Sequence, residues 1–287
     1  YSKVLNYSEG NWFDYPIHNN LINFHNKLDY LHSFLSREET KKPLNFQDWC
    51  INNYGNKITN DFYKKYTKKY WNKNLKDLDT SWTTGRVFNS KEDKVILNTF
   101  FKNKDKVSTF DKFRYPKKNG FYGFFKKKFE SYKSISLNNI KIKKIDLRNK
   151  IISTDFFKKE YQNIFSTIPI PELPNYINFP KKIIKCINSL EFTSLYTLNI
   201  IINKKIDFNH DWNYIYDEAT NISRVTILNN TNQSNSNRTA IQAEIFDSIG
   251  MIDIFFTLFR HVKELTPNCK SAESFIPPDL KLGAIDE

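Results

Sequence analysis

Residues 134 to 156, SISLNNIKIKKIDLRNKIISTDF, carry the change of period on which the fold turns. Ile135 and Leu137, then Ile140 and Ile142, alternate with polar residues, and LRNK leads on to Ile151 and Ile152. Strand side chains point to opposite faces in turn, so this spacing predicts a β-hairpin. On its N-terminal side the period is helical. PIHNNLINFHNKLDYLHSFLS places Leu21, Phe24, Leu28, Leu31 and Leu35 on one face at steps of three and four. After the charged loop REETKKPLN with Pro43, a second helix starts near Phe46, carries Trp49 and Cys50, and meets Gly55 as a stop. A third runs from Ile58 through Phe62, Tyr66 and Tyr70.

On the C-terminal side, LEFTSLYTLNIII, DWNYIYD, SRVTILNN and TAIQAEIF read as further strands. Helices followed by antiparallel strands make an α+β fold. TIPIPELP, with three prolines, is expected to be extended. NNTNQSNSNRT is expected to be a loop, and IDIFFTLFRHVKEL an amphipathic helix.

The 287 residues can bury a substantial core, and at 16% aromatic content much of it must be Phe and Tyr. A mean hydropathy of -0.61 and no uninterrupted apolar run near ~18 residues exclude a membrane-spanning helix. Cys50, Cys186 and Cys269 are odd in number and widely spaced, which fits a reducing, cytoplasmic compartment and neither a disulfide framework nor a zinc knuckle. No signal-peptide pattern opens the chain, and a start on Tyr1 is expected of a fragment or a trimmed chain. The net charge of +13 attracts phosphate in any form. Most of the lysines, and the five N-x-[ST] sequons in so Asn-rich a chain, read instead as drift toward AT-rich codons. Nucleic acid is therefore not the favoured partner.

Familiar catalytic patterns are missing. His18, His25 and His32 recur every seven residues, but two helical turns separate neighbours by ~10 Å, too far to share an ion, so they are expected to form a solvated or half-buried stripe. HExxH, GxSxG, GxGxxG and a Walker loop do not occur. Asp77 with Asp79, and Asp211 with Asp217 and Glu218, read as caps and turn residues.

Three arginine-containing stretches remain. KKYTKKYWNKNLKDLDTSWTTGRVF, residues 64 to 88, interleaves lysine pairs with Tyr66, Tyr70 and Trp71 and leads to Arg86; a solvated face explains the lysines but not the aromatics. FRYPKKNGFYGFFKKKFE leads through Gly120 and Gly123 into a helix, and glycines there allow close approach to a ligand. NISRVTILNN sets Arg224 in a strand, which is costly unless it meets an anion.

These stretches resemble, in order, segments of the UDP-galactopyranose mutases and related FAD-dependent, amine-oxidase-like proteins of surface-polysaccharide pathways. YPIHNNL is similar to YP-x-x-NNL, and residues 53 to 87 to FG-x-x-[IL]…F-x-x-Y-x-x-K-x-W…L…W-x-x-x-R-[VI]. FRYPKKNGFYGFFKKKF resembles F-x-YPK-x-G-x-x-x-L, STIPIPEL resembles STIPL-x-EL, and SRVTILNN with AIQAEI resembles R-[VI]-T…S-x-x-AE-[IV]. The resemblance covers about residues 10 to 246 and implies a flavin-dependent isomerase acting on a UDP-sugar. It places Tyr66 and Trp71 along the uridine and diphosphate, Arg86 and Arg224 on the diphosphate, and Pro116 and Gly120 beside FAD; Tyr70 falls between matched positions and is open to a core role. No residue matches the family's GxGxxG unit or its C-terminal flavin motif, so the chain reads as the centre of such a flavoprotein, with FAD not expected to be retained by it alone. The division implied is a mainly helical substrate-binding segment over 1–90, a connector with the YPK-x-G segment over 91–130, an antiparallel sheet with a residual FAD-domain hairpin over 131–250, and a divergent tail over 251–287. Two alternatives stay open. One is an FAD oxidoreductase of amine-oxidase or protoporphyrinogen-oxidase type, and the other a non-catalytic basic module that binds nucleic acid or glycan through Lys64, Lys65, Lys68 and Lys69. Whether the chain forms a homo-oligomer is open as well.

Overall fold

The structure, a computed structural model, describes residues 3–37, 42–89, 91–102, 114–116, 119–132, 137–232 and 237–246. The chain divides into two units, Tyr1–Lys117 with Thr193–Glu287, and Lys118–Phe192.

The segment expected to be mainly helical opens instead on a hairpin. Strands β1 (Val4–Ser8) and β2 (Asn11–Asp14) are joined through Glu9 and Gly10, at φ 50° and 80°. The helix expected from Pro16 is then delayed. Two short 3-10 turns, Ile17–Asn19 and Leu21–Asn23, precede α1 (Lys27–Leu35). Asparagine explains the delay, because its amide competes for backbone groups that a helix would use; the Asn20 side chain donates to the Pro16 carbonyl at 2.9 Å. The inward face of α1 is also rotated from the expected one. Tyr30, Leu31 and Phe34 are buried, whereas Leu28 and Leu35 are exposed.

Helix α2 (Phe46–Ile58) begins at Asn45, whose side chain accepts from the Asp48 amide at 3.0 Å. Gly55 interrupts it at φ 78°, ψ 167°, and a Cβ there would lie 2.1 Å from the Ser33 carbonyl oxygen. Only glycine allows this backbone conformation at so close an approach to α1. The chain re-enters helix through a π-helical turn, Thr59–Lys64, into α3 (Lys65–Trp71), which ends at Asn72 with φ 51°. Helix α4 (Glu92–Phe100) completes this layer, and Phe34, Tyr54, Ile58, Phe62 and Val95 pack in its core.

In the second unit, α5 (Lys126–Ser131) precedes the hairpin from which the sequence was read, β3 (Ile142–Asp146) with β4 (Ile151–Thr154), extended by β5 (Lys158–Glu160). The Asp146 carboxylate accepts from the amides of Arg148 and Asn149 and holds the turn. Leu137 and Ile140 lie before the strand, and Ile135 lies outside the described residues. TIPIPELP is not extended throughout: Ile170–Asn175 is a 3-10 turn. Proline early in a helix loses no needed hydrogen bond, which makes this turn compatible with Pro171. Helix α6 (Lys181–Asn188) follows.

The first unit resumes with β6 (Leu195–Ile202), β7 (Trp212–Ile215), β8 (Ile222–Ile227), the short α7 (Leu228–Asn232) where a loop was expected, and β9 (Thr239–Phe246). The six strands run in the order β2, β1, β7, β8, β9, β6. The sheet is mixed rather than wholly antiparallel, because β1 pairs with β7 in parallel. Ile215, Val225, Ile227, Ile241, Ala243 and Ile245 form an apolar cluster, while the intervening Tyr214, Arg224 and Glu244 share the opposite face, as a period of two requires. The amphipathic helix expected over 252–265 lies outside the described residues.

Candidate functional site

The register of three strands builds a row of side chains. Tyr214 on β7 pairs with Arg224 on β8, and Arg224 pairs with Glu244 on β9. Side chains directly opposite on one face are within bonding reach. Arg224 Nε and Nη2 donate to the two oxygens of Glu244 at 3.0 and 2.7 Å, a bidentate pair. The Glu244 side chain is 6% exposed and that of Arg224 is 37% exposed, so the carboxylate sits inside and the guanidinium reaches solvent. Burial works against the Arg224 charge, but the bonds and charge of Glu244 outweigh it and hold the guanidinium's pKa above its ordinary value. The anion demanded by an arginine in a strand is thus present within the chain.

Helix α3 lays its aromatics over this row. The Tyr66 ring meets Tyr214 edge-on at 5.6 Å and Tyr216 at 5.3 Å. Burial and the neighbouring tyrosines push the Tyr66 hydroxyl well up, while the Arg224 charge opposes them. Tyr70 stacks on Tyr66 at 5.7 Å and touches Phe246 at 4.2 Å. Trp71 meets Tyr70 at 5.3 Å and Trp82 at 5.8 Å, and is 36% exposed. Tyr66, Trp71 and Arg224 are therefore linked through Tyr70 and Tyr214.

Arg86 is placed differently. It is exposed on a turn where its amide donates to the Thr83 carbonyl at 3.0 Å, four residues beyond Trp82, and its guanidinium makes no ion pair among the described residues. Asp77 and Asp79 serve as caps: Asp77 closes a capping box with Asn74, and Asp79 accepts from the Ser81 amide. Asp217 likewise accepts from the Ala219 amide.

The lysines of α3 and of the π-helical turn before it do not form one solvated face. Lys64 and Lys68 are exposed, but Lys69 turns inward and donates to the carbonyls of Ile215 (3.0 Å), Asp217 and Ile222 (3.2 Å). Beside it lies a cavity of about 190 Å³ lined by Lys65, Lys68, Asn72, Glu218 and Phe246, among others. Ligand sites for drug-sized molecules run from roughly 300 Å³ upward, so this cavity alone does not hold a nucleoside diphosphate.

The histidine stripe also divides. His25 and His32 are exposed, whereas His18 is fully buried, stacked on Tyr54 at 4.7 Å and on Phe88 at 5.7 Å. Burial pushes its imidazole down to about 3. No group of three or more His, Cys, Asp or Glu suited to a metal ion occurs among the described residues.

No protein-family model and no curated protein matches the sequence. Solved structures do match. Reduced UDP-galactopyranose mutase superposes with a TM-score of 0.82 over 92% of this chain and 61% of that one, at 18% identity. The chain has the UDP-galactopyranose mutase fold. A protein from Pyrococcus furiosus superposes at 0.62, with 12% identity, over 93% of this chain and 64% of that one. A putrescine oxidase variant gives 0.48 at 11% identity, over 91% and 63%. The chain thus spans about three fifths of the mutase it matches.

Among the described residues no glycine-rich strand-to-helix turn of a dinucleotide cradle occurs. Such a cradle needs glycines at a strand-to-helix turn beneath a parallel sheet; here the three-stranded sheet is antiparallel and the sequence has no GxGxxG. Pro116 and Gly120, expected beside FAD, fall in different units. Gly120 has φ 54° and opens a 3-10 turn through Phe124. Sequence reasoning missed Glu244 and Tyr214, and read Lys69 as one of a set of surface charges. The first two could have been found by aligning NYIY, SRVT and QAEI at a period of two; no local signal marks Lys69 as buried.

Proposed function

We propose that this chain supplies the nucleotide side of a UDP-sugar mutase, the UDP-galactopyranose to UDP-galactofuranose type being the model. What carries the reading is Arg224, locked in plane by Glu244 and paired with Tyr214, which Tyr66 meets edge-on, within a fold shared with the mutase at TM-score 0.82. Tyr66 and Trp71 offer ring faces to the uracil, and Arg224 and Arg86 offer guanidinium charge to the diphosphate. A departing diphosphate gains charge, and a donor already fixed in place stabilises that change without reorganising. Glu244 is then the residue that fixes it.

The test is titration of the chain with UDP, UDP-galactose and uridine. UDP and UDP-galactose should bind, uridine should bind much more weakly, and Arg224→Gln and Arg86→Gln should each weaken UDP by about tenfold or more, the scale of one charge-assisted contact. Absence of UDP binding sinks the reading.

One observation favours a second reading. Arg224 already has a carboxylate partner, as suits an FAD oxidoreductase in which this arginine is structural. In that case Arg224→Gln lowers stability and leaves UDP binding untouched.

A further inference from the structure

We infer that Lys69 is the positioning residue of the candidate site: its ammonium clamps the turn between β7 and β8 to α3, and so sets Arg224 against Tyr66. The inference rests on the uridine-diphosphate reading for its functional arm only. Its geometric basis is independent of any ligand. A protonated lysine has three N–H donors, and here each has a carbonyl acceptor, at Ile215, Asp217 and Ile222. Those carbonyls bracket the turn, with Ile215 the last residue of β7 and Ile222 the first of β8. Arg224 follows two residues later, and Tyr66 precedes Lys69 by three on the same helix, one turn away. No other single side chain on α3 reaches both strands with hydrogen bonds among the described residues.

An exposed lysine would be exchangeable for any polar residue, but this one is not. Replacing it with methionine leaves two strand-end carbonyls and one turn carbonyl facing an apolar side chain, and the turn must shift to find water. Arg224 is carried by that shift because its strand begins at the clamped carbonyl.

The titratable groups around Lys69 are Lys65 and Lys68 on α3 and Asp217 and Glu218 in the turn, with Glu9 and Glu218 both at 3.7 Å from Lys65. Burial pushes the Lys69 ammonium down to about 8; Asp217 and Glu218 oppose that and Lys65 adds to it. The clamp therefore carries three donors at neutral pH and two above about 8, and because burial disfavours the charged form, the closed turn gains stability over the open one as pH rises through that value.

Amide hydrogen exchange of the full chain, paired with UDP titration, tests this. In Lys69→Met the amides of Tyr216 and Ile222 should exchange about tenfold faster while those of Ile241 and Ala243 in β9 hold, and UDP affinity should fall about tenfold. Lys69→Arg, which keeps the charge and donors in another shape, should recover part of both. The wild-type chain gives a second test without substitution: turn protection, corrected for the intrinsic pH dependence of exchange, should rise as pH climbs from about 8, because the clamped ammonium holds its proton less tightly than a solvated one, and Lys69→Met should lack that rise. Unchanged protection at Tyr216 and Ile222 in Lys69→Met overturns the inference. So does a uniform loss that includes β9, which marks a general contribution to folding. If the turn loosens as expected but the wild-type chain binds no UDP, the clamp stands and the nucleotide reading falls.

Discussion

At the scale of single residues, the decisive pairings are those in which a polar group is withdrawn from water. Glu244 and Arg224 form a half-buried bidentate pair, and removing one partner leaves the other charge uncompensated. Glu244→Gln should lower unfolding free energy by about 1–2 kcal/mol, less than for a fully buried pair because the guanidinium reaches solvent, while the double variant Arg224→Met with Glu244→Leu should cost less than the sum of its single substitutions. Urea denaturation of the variants would show it, and additive losses would count against the pair. His18 gives a pH dependence. Its folded pKa, near 3, lies below the ordinary 6.5, so between those values the unfolded chain binds the extra proton. Stability from this group is complete above pH about 6.5 and is lost as pH falls toward 3, at up to roughly 1.4 kcal/mol per pH unit. His18→Phe should flatten that part of the stability profile measured by urea melts, and an unaltered slope would refute the assignment. None of this was visible in the seven-residue spacing of His18, His25 and His32, because recurrence along the chain does not tell which ring the fold encloses.

At the scale of elements, local chemistry and packing can be separated. Asn45 caps α2 through its side chain; Asn45→Ala should cost about 1 kcal/mol in chemical denaturation. Gly55 is more demanding, since its positive φ and the 2.1 Å approach to Ser33 oxygen act together. Gly55→Ala should cost about 3 kcal/mol or fail to fold, read by thermal melts and circular dichroism. A loss below about 1 kcal/mol would show that α1 and α2 can part without penalty. The strands β6 to β9 were legible because each is a short run rich in β-branched and aromatic residues. The hairpin β1–β2 was not, since VLNYS and NWFD are too short and too polar to stand out, and β1 is a strand because β7, some 208 residues away, supplies its parallel partner.

At the scale of the whole chain, a charge of +13 raises the question of whether any polyanion would do. A site built from Arg224, Tyr66 and Trp71 should discriminate. UDP at about 100 times its dissociation constant should stabilise the chain by about 2.7 kcal/mol, seen as a raised melting temperature, and Arg224→Gln at the same UDP concentration should cut that rise to about half or less while leaving heparin retention nearly unchanged. Equal displacement of UDP by heparin and steep salt dependence would favour the basic-module reading instead.

What the sequence determined by itself was periodicity and residue type: the α+β order, four of the sheet strands, the central hairpin, the glycine break of α2, and the arginine in a strand that had to meet an anion. Those follow from neighbours a few residues apart, where backbone geometry alone decides which side chains share a face. Only the tertiary structure decided which anion Arg224 meets, that β1 joins the sheet in parallel, that His18 is enclosed and that Lys69 is a clamp rather than a surface charge. Each of those depends on burial and on partners 20 to 208 residues distant, and the free energy of withdrawing a charge or a ring from water belongs to the assembled surroundings rather than to the residue.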